Sequence, residues 1–294
     1  GKLRLIIFLR NLINYIFINI SKNAIIEKVI HIIHVASGDS KAFIAPRNVI
    51  YAEQSSECTI LESHIAFEDN STYLATPLSD FYLEENSTIH YAKAQKESLK
   101  AYHVGNTRVW QERNTNFDSI SIMVGAAITR NNLDIVIDGE GSNANLHGLY
   151  FLHGKQHADN HTSVDHRQPN CTSNQLYKGI LEGSSRSVFN GKIFVNEIAQ
   201  LTNSYQLNKN LLLGKDCRVD TKPQLEIFAD DVKCTHGATI GQLEKDEVFY
   251  LQSRCISKQD ATKILVRGFI EDLLVDVSSE TLQDKIHWLV EPAI

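Results

Sequence analysis

The chain has 294 residues, 43% apolar and 22% charged, with a net charge of −6. That is an ordinary globular composition, long enough to bury about three quarters of the unfolded surface, and the acidic balance without a basic stripe argues against nucleic acid or an anionic membrane as partner. Five cysteines at 58, 171, 217, 234 and 255 are odd in number and widely spaced, which excludes a secreted disulfide framework or a structural zinc motif and points to a reducing, cytoplasmic-type compartment.

The first twenty residues (GKLRLIIFLRNLINYIFINI) are apolar and basic, in the manner of a leader or membrane anchor. Arg4, Arg10, Asn11 and Asn14 interrupt the run, and no small-residue cleavage site follows. β-Branched isoleucine dominates, so buried strands are expected here. The chain does not start with Met, and its natural N-terminus is expected to lie upstream.

Beyond this segment a unit recurs: a short polar turn with Asn, Gly or Ser, then a short apolar strand. Examples are SKNAIIEKVI (21–30), SSECTILES (55–63), EENSTIHY (84–91), GSNANLHGLYF (141–151) and SRSVFNGKIFV (185–195). Stacked strand–turn units of this kind predict a mainly β solenoid in which each rung buries its inner face on the next. Spacing alone leaves a sandwich or barrel open.

Five histidines, at 147, 153, 157, 161 and 166, crowd one stretch, with Asp159 and Asp165 between them in GKQHADNHTSVDH (154–166). On a strand, His157, Asp159, His161, Ser163 and Asp165 share one face. Such a face suits either a metal ion, as in a stand-alone His-rich metalloprotein, or hydrogen-bonded ladders that pin strand register. Cys234 and His236 in VKCTHGATIG (232–241) form a second pair on one strand face, both suited to iron, with Lys233 close enough to lower the thiol pKa. Two ligands leave a site that other donors must complete. A β-helix carbohydrate-active enzyme would need paired carboxylates on a groove; Asp230 and Asp231 are adjacent, and strand alternation would point them apart.

After about residue 256 the pattern turns helical. Ser257 can cap a helix on which Ile264, Leu265, Phe269 and Leu273 recur at helical spacing, and 280–290 (ETLQDKIHWLV) is a second candidate. The division is therefore a β core over 1–256 and a helical subdomain over 257–294. The Gly-Lys pairs at 154–155, 191–192 and 214–215 are followed by Gln, Ile and Asp, so no Walker cradle exists, and GxGxxG, HExxH and GxSxG are absent. Any ATP used in this protein's work is hydrolysed by another chain.

Several long segments together resemble the SufD branch of the SufB/SufD family of SUF iron–sulfur cluster assembly scaffolds. They are TKPQLEIFADDVKCTHGATIG (221–241), GKQHADNHTSVDH (154–166), YKGILEGSSRSVFNGKIFV (177–195), NKNLLL (208–213) and FYLQSRCI (249–256). The similarity is strong from about residue 120 to 275 and traceable back to about residue 16. KCTHGATIG stands where SufB-like chains have a motif resembling EHEATTSKI, which favours the SufD branch.

The resemblance implies a right-handed parallel β-helix, with the family's N-terminal helical part missing from this chain. It implies a non-catalytic scaffold that pairs edge to edge with SufB and docks the ATPase SufC on its C-terminal helices. The isolated chain is expected to be able to homodimerise, and the location to be the cytoplasm or, in a eukaryote, the plastid stroma. No tightly bound cofactor is implied for the single chain, only a transient Fe–S cluster shared with SufB. His236 matches the family histidine near the SufB interface, and Cys234 its neighbouring cysteine. Cys217, in LGKDCRVDTKP, stands where SufB rather than SufD carries a cluster-linked cysteine and is expected near the same interface or as an incidental thiol on a turn. Ile264, Leu265, Phe269 and Leu273, on a helix over 259–276, are the expected SufC contact. Cys255 replaces a usual family glycine, which predicts backbone strain if that glycine holds a left-handed turn.

Overall fold

The computed structural model of the chain describes residues 3–10, 13–37, 41–274 and 283. Strands β1 (Leu3–Arg10) and β2 (Ile13–Ile20) form an antiparallel hairpin. The chain then winds through β3 (Ile25–Ala36), β4 (Ala42–Ile44), β5 (Arg47–Ala52), β6 (Glu57–Ala66), β7 (Tyr73–Ala75), β8 (Leu78–Leu83) and β9 (Thr88–Lys96). The same winding continues through β10 (Tyr102–Gln111), β11 (Asn116–Met123), β12 (Ile128–Ile137), β13 (Asn143–Leu152) and β14 (His157–His166). It closes with β15 (Thr172–Leu181), β16 (Arg186–Val195), β17 (Asn203–Leu212), β18 (Arg218–Ile227) and β19 (Lys233–Gly241). Helices α1 (Lys245–Ser253) and α2 (Lys258–Leu274) follow.

From β2 onward every pairing is parallel and joins strands one coil apart. One sheet runs β1-β2-β5-β8-β10-β12-β14-β16-β18, and the other runs β3-β6-β9-β11-β13-β15-β17-β19. The fold is thus the expected β-solenoid, a parallel β-helix with helices at its C-terminal end.

The recurring polar turn has a backbone cause. At the corner leading from the first sheet into the second, one residue sits in the left-handed region in each of seven coils: Asn23, Ser55, Asn86, Asn114, Gly141, Asn170 and Leu201. Each of these amides donates to a carbonyl of the next coil, as Asn86 does to Arg113 and Asn114 to Glu140. Asn, Gly and Ser tolerate or stabilise that conformation, so they mark the corner. Prolines punctuate the other sheet: Pro46 splits β4 from β5 and Pro77 splits β7 from β8, because a proline has no amide for the ladder.

The first β segment departs from expectation. Both strands form, and Ile18 and Ile20 are buried, but Leu3, Leu5 and Ile6 are exposed because β1 lies at the sheet's edge.

Three of the sequence motifs interlock inside the solenoid. Gly148, Tyr177 and Asn208 stand in register on β13, β15 and β17, as do Tyr150, Gly179 and Asn210. The Tyr177 ring lies over Gly148 and the Tyr150 ring over Gly179, so each tyrosine fills the space its neighbouring glycine leaves. The Tyr150 hydroxyl donates to Asn210 Oδ1 (2.6 Å) and accepts from Asn208 Nδ2 (3.2 Å).

Helix α2 opens at Ser257, whose Oγ accepts from the Asp260 amide (3.1 Å), the cap the sequence predicts. Its Val266, Ile270 and Leu273 pack on Leu149, Phe151 and Ile180 of the solenoid's outer face. Lys178, buried on that face, donates from Nζ to the Phe269 carbonyl (2.7 Å) and lies 4.7 Å from the Phe269 ring centre. Helical structure begins at Lys245 rather than after 256. Helix α1 buries no residue, so it carries no apolar stripe to read. The candidate helix at 280–290 lies outside the described residues, Gln283 excepted. Cys255 has φ +65°, as its replacement of a family glycine predicts. It is the C′ residue of a Schellman turn in which the Ile256 amide donates to the Leu251 carbonyl and the Cys255 amide to that of Gln252.

Candidate functional site at the open end of the solenoid

The last coil consists of β18 and β19, and each pairs with one strand only. Their outer edges present main-chain donors and acceptors with no partner strand, which marks a place where another chain can add.

Register decides what this end displays. Cys234, His236, Ala238 and Ile240 of β19 stand above Ser204, Gln206, Asn208 and Asn210 of β17, all four of which are buried inside the solenoid. The β19 side chains therefore continue the interior columns, but no further coil covers them. His236 and Ile240 are exposed and Cys234 is half-buried. On the facing strand, Val219, Thr221 and Leu225 extend the columns of Ser187, Phe189 and Ile193 in the same way and are half-buried. An imidazole and a thiol thus sit two residues apart on the exposed cross-section of a core.

The floor beneath them is polar. Gln206 Nε2 donates to Gln175 Oε1 (3.3 Å), which also accepts from the Thr162 hydroxyl (2.7 Å). Gln206 Oε1, directly under His236, is buried without a hydrogen-bond partner, and so is Thr221 Oγ1. Such atoms call for a donor from above.

Cys234 packs beside Ile193, Val195, Ala199 and Ala229, and burial pushes its thiol above the ordinary value. The expectation that Lys233 lowers this pKa is therefore overturned: alternation turns Lys233 to the outer face, where it is exposed, and desolvation dominates. Cys217 belongs to the same last coil but is folded into its corner. Its Sγ is buried in the core and donates to the Gly183 carbonyl (3.4 Å).

The histidine-rich segment separates by parity. His157, Asp159, His161 and Asp165 do share the outer face of β14, while His166 points inward and is buried against Ser173 (2.9 Å). Asp159 accepts from Arg130 (2.7 Å) and lies 2.9 Å from His161 Nε2, and Asp165 accepts from Arg167 (2.7 Å). His147 is buried on β13, and His153 pairs with Glu182 (3.1 Å). The Arg130–Asp159 and His153–Glu182 contacts cross between coils, as a register ladder does, whereas Asp159–His161 and Asp165–Arg167 run along the chain. Among the described residues, a histidine–carboxylate trio whose donor atoms converge lies elsewhere, at His34, Glu62 and His64. Sequence reading missed it because His34 meets His64 only through strand register across a full coil. Asp230 and Asp231 lie on an exposed bend between β18 and β19 rather than on a strand.

Of the four residues on α2 expected to dock a partner, Leu273 is buried against the solenoid and Phe269 is half-buried beside it. Ile264 is exposed and Leu265 half-exposed. They line a groove of about 490 Å³ with Leu243 and Glu247, and Phe249 and Tyr250 of α1 are also exposed. No helix among the described residues is long and apolar enough to cross a membrane.

Comparison with known proteins identifies the family. Residues 34–269 match the family described as SUF system FeS cluster assembly, SufBD core domain. An iron–sulfur cluster assembly SufBD family protein of Synechocystis is 34% identical over 279 residues, covering 92% of this chain and 62% of that protein. The iron–sulfur cluster assembly protein SufD of Escherichia coli is 31% identical over 258 residues, covering 88% and 61%. The chloroplastic protein ABCI7 of Arabidopsis thaliana is 31% identical over 241 residues, covering 82% and 51%. The chain therefore spans between half and two thirds of the length of these relatives.

Proposed function

The chain belongs to the SufBD family of the SUF iron–sulfur cluster assembly system, and we propose that it is a SufD-type scaffold that works in cluster assembly at its open solenoid end. The observation that carries this reading is the exposed interior column. His236 and Cys234 stand where the core would continue, between two strand edges with no neighbour. Covering that end with a second β-helix satisfies the edges, shields Ile240 and Leu225, and encloses an imidazole and a thiol in a site that two chains complete.

The partner is the paralogue SufB, and iron and sulfide are the cargo. His236 donates through a ring nitrogen, Cys234 through its thiolate once deprotonated, and the remaining ligands come from SufB. Cys217 supports the corner of the same coil. In the isolated chain, pairing of two copies through the same edges is the competing occupancy.

The ATPase SufC docks on the helical end, on the face left free by solenoid packing: Ile264 and Leu265 of α2, with Phe249 and Tyr250 of α1. Phe269 and Leu273 hold the helix to the solenoid, so nucleotide-driven movement of SufC is transmitted to the strands rather than dissipated. The work takes place in the cytoplasm or a plastid stroma. For the rival reading as a carbohydrate-active enzyme, Asp230 and Asp231 lie on an exposed bend, which is no paired-carboxylate groove.

The test is co-expression with SufB and SufC. His236→Ala is expected to leave the complex assembled while cluster formation falls at least about tenfold, as loss of a metal ligand does. A complex carrying His236→Ala that builds clusters at the normal rate removes the role, and failure of the intact chain to co-purify with SufB removes the proposal.

A further inference from the structure

The interior of the solenoid is apolar near Phe81 and Phe117 but turns polar where β3, β6, β9 and β10 face one another. His34 on β3 is in register with His64 on β6, and their rings stack at 4.7 Å. Glu62, two residues before His64, points the same way. Its Oε1 lies 2.8 Å from His64 Nε2 and 3.6 Å from His34 Nε2. All three donor atoms fall within 4.8 Å of one another.

The surroundings hold this trio in place. Glu62 Oε2 accepts from the hydroxyls of Ser79 (2.7 Å) and Tyr91 (2.8 Å), which fixes the plane of the carboxylate. Asn48 Nδ2 donates to Ser79 (3.0 Å) and lies 3.3 Å from His34 Nε2. An oriented carboxylate with partners behind it is what a metal centre requires, and the Asn48 Nδ2 contact gives way when His34 Nε2 ligates.

Two buried polar groups beside the trio have unused hydrogen-bonding capacity. Asn48 is 1% exposed, and its Oδ1 has no partner. His103, fully buried with its ring 5.0 Å from that of His64, has no partner at Nε2. The compartment also encloses two carboxylates, Glu62 and Glu97, with one ammonium, Lys93. A buried carboxylate without a cation in contact is unfavourable, and a metal ion at Glu62 offsets its charge.

We propose that His34 Nε2, Glu62 Oε1 and His64 Nε2 bind a divalent first-row transition ion inside the N-terminal half of the solenoid, separate from the open end. Two imidazoles and one carboxylate are a ligand set for zinc and for iron(II). Metal–ligand bonds of about 2.0–2.2 Å place tetrahedral ligands roughly 3.4 Å apart, so the Glu62–His64 contact opens slightly as the imidazole proton moves from Nε2 to Nδ1. The open coordination position takes a water, and Asn48 Oδ1 accepts its hydrogen bond. Glu62 and His64 are sealed at 1% and 3% exposure, whereas His34 is at 12%, so the ion enters past His34.

The experiment uses the full chain, stripped with chelator and titrated with Zn²⁺ against a chromophoric competitor, with metal content read by mass spectrometry. One equivalent is expected to bind with micromolar or tighter affinity. Glu62→Gln and His34→Ala should each weaken it at least about tenfold. His236→Ala and Cys234→Ala should leave it unchanged, which separates this site from the proposed cluster site. Because Glu62→Gln alters a buried group that the fold rests on, His34→Ala carries the decision, with its fold checked by circular dichroism. X-ray absorption of the wild-type chain should report nitrogen and oxygen neighbours without sulfur. Absence of stoichiometric zinc, equal binding by folded His34→Ala, or a sulfur neighbour overturns the proposal.

Discussion

Replacing Tyr150 with Phe tests whether the interlocked ladder under β19 is a structural determinant. The ring keeps its place over Gly179, so no cavity opens, and only the hydroxyl is lost. Asn208 Nδ2 retains the Tyr177 carbonyl (3.2 Å), and Asn210 Nδ2 retains Asn208 Oδ1 (2.7 Å). Asn210 Oδ1 loses the 2.6 Å bond from Tyr150 and becomes a buried acceptor without that donor. An orphaned buried acceptor costs about 1–3 kcal/mol. With an unfolding entropy of about 2.1 cal/mol/K per residue, a loss of about 2 kcal/mol lowers the melting temperature of a chain this long by roughly 3 °C. Urea titration followed by far-UV circular dichroism measures the loss directly, and the m-value should not change. Because Asn208 and Asn210 stand below Ala238 and Ile240, amides of β19 should also exchange faster with solvent. A variant within about 0.5 kcal/mol of wild type, with β19 exchange unaltered, refutes the assigned bond.

Other consequences follow from the same packing. A methyl at Gly148 would lie 2.2 Å from Tyr177 Cδ1, so Gly148→Ala should destabilise by about 1–3 kcal/mol, and adding Tyr177→Leu should recover part of that in a double-mutant cycle by urea unfolding. Burial pulls His166 down from 6.5 to about 4, so the unfolded chain takes up its proton first as pH falls. Its contribution to stability is whole above about pH 6.5, declines between there and pH 4, and amounts to about 3 kcal/mol; His166→Gln should flatten the stability–pH profile in that window. Cys255→Gly should relieve the left-handed strain after α1 and stabilise that turn by about 1 kcal/mol, seen as slower exchange of the Ile256 amide.

Much of the fold was legible along the chain. A left-handed corner residue recurs in seven coils and is Asn, Gly or Ser in six of them, Leu201 being the exception, so the strand–turn unit is written locally even though the coils vary in length. The Ser257 cap and the helical spacing through Leu273 are local as well. Helix α1 was not legible, because a helix that buries nothing needs no apolar stripe. At the candidate site, the shared face of Cys234 and His236 follows from strand alternation alone.

The sequence by itself determined the family, through its motifs, and the strand–turn unit and the shared face of Cys234 and His236, because the last two depend on the local conformation of short segments. Only the tertiary structure decided that the pair continues an interior column at an uncovered end, that Leu273 faces the solenoid, and that Lys233 leaves the Cys234 thiol unassisted. It alone brought His34 to Glu62 and His64. The reason is register: in a parallel solenoid each side chain's neighbours lie a coil away, and a coil's length is fixed by how its corners stack, which no single segment encodes.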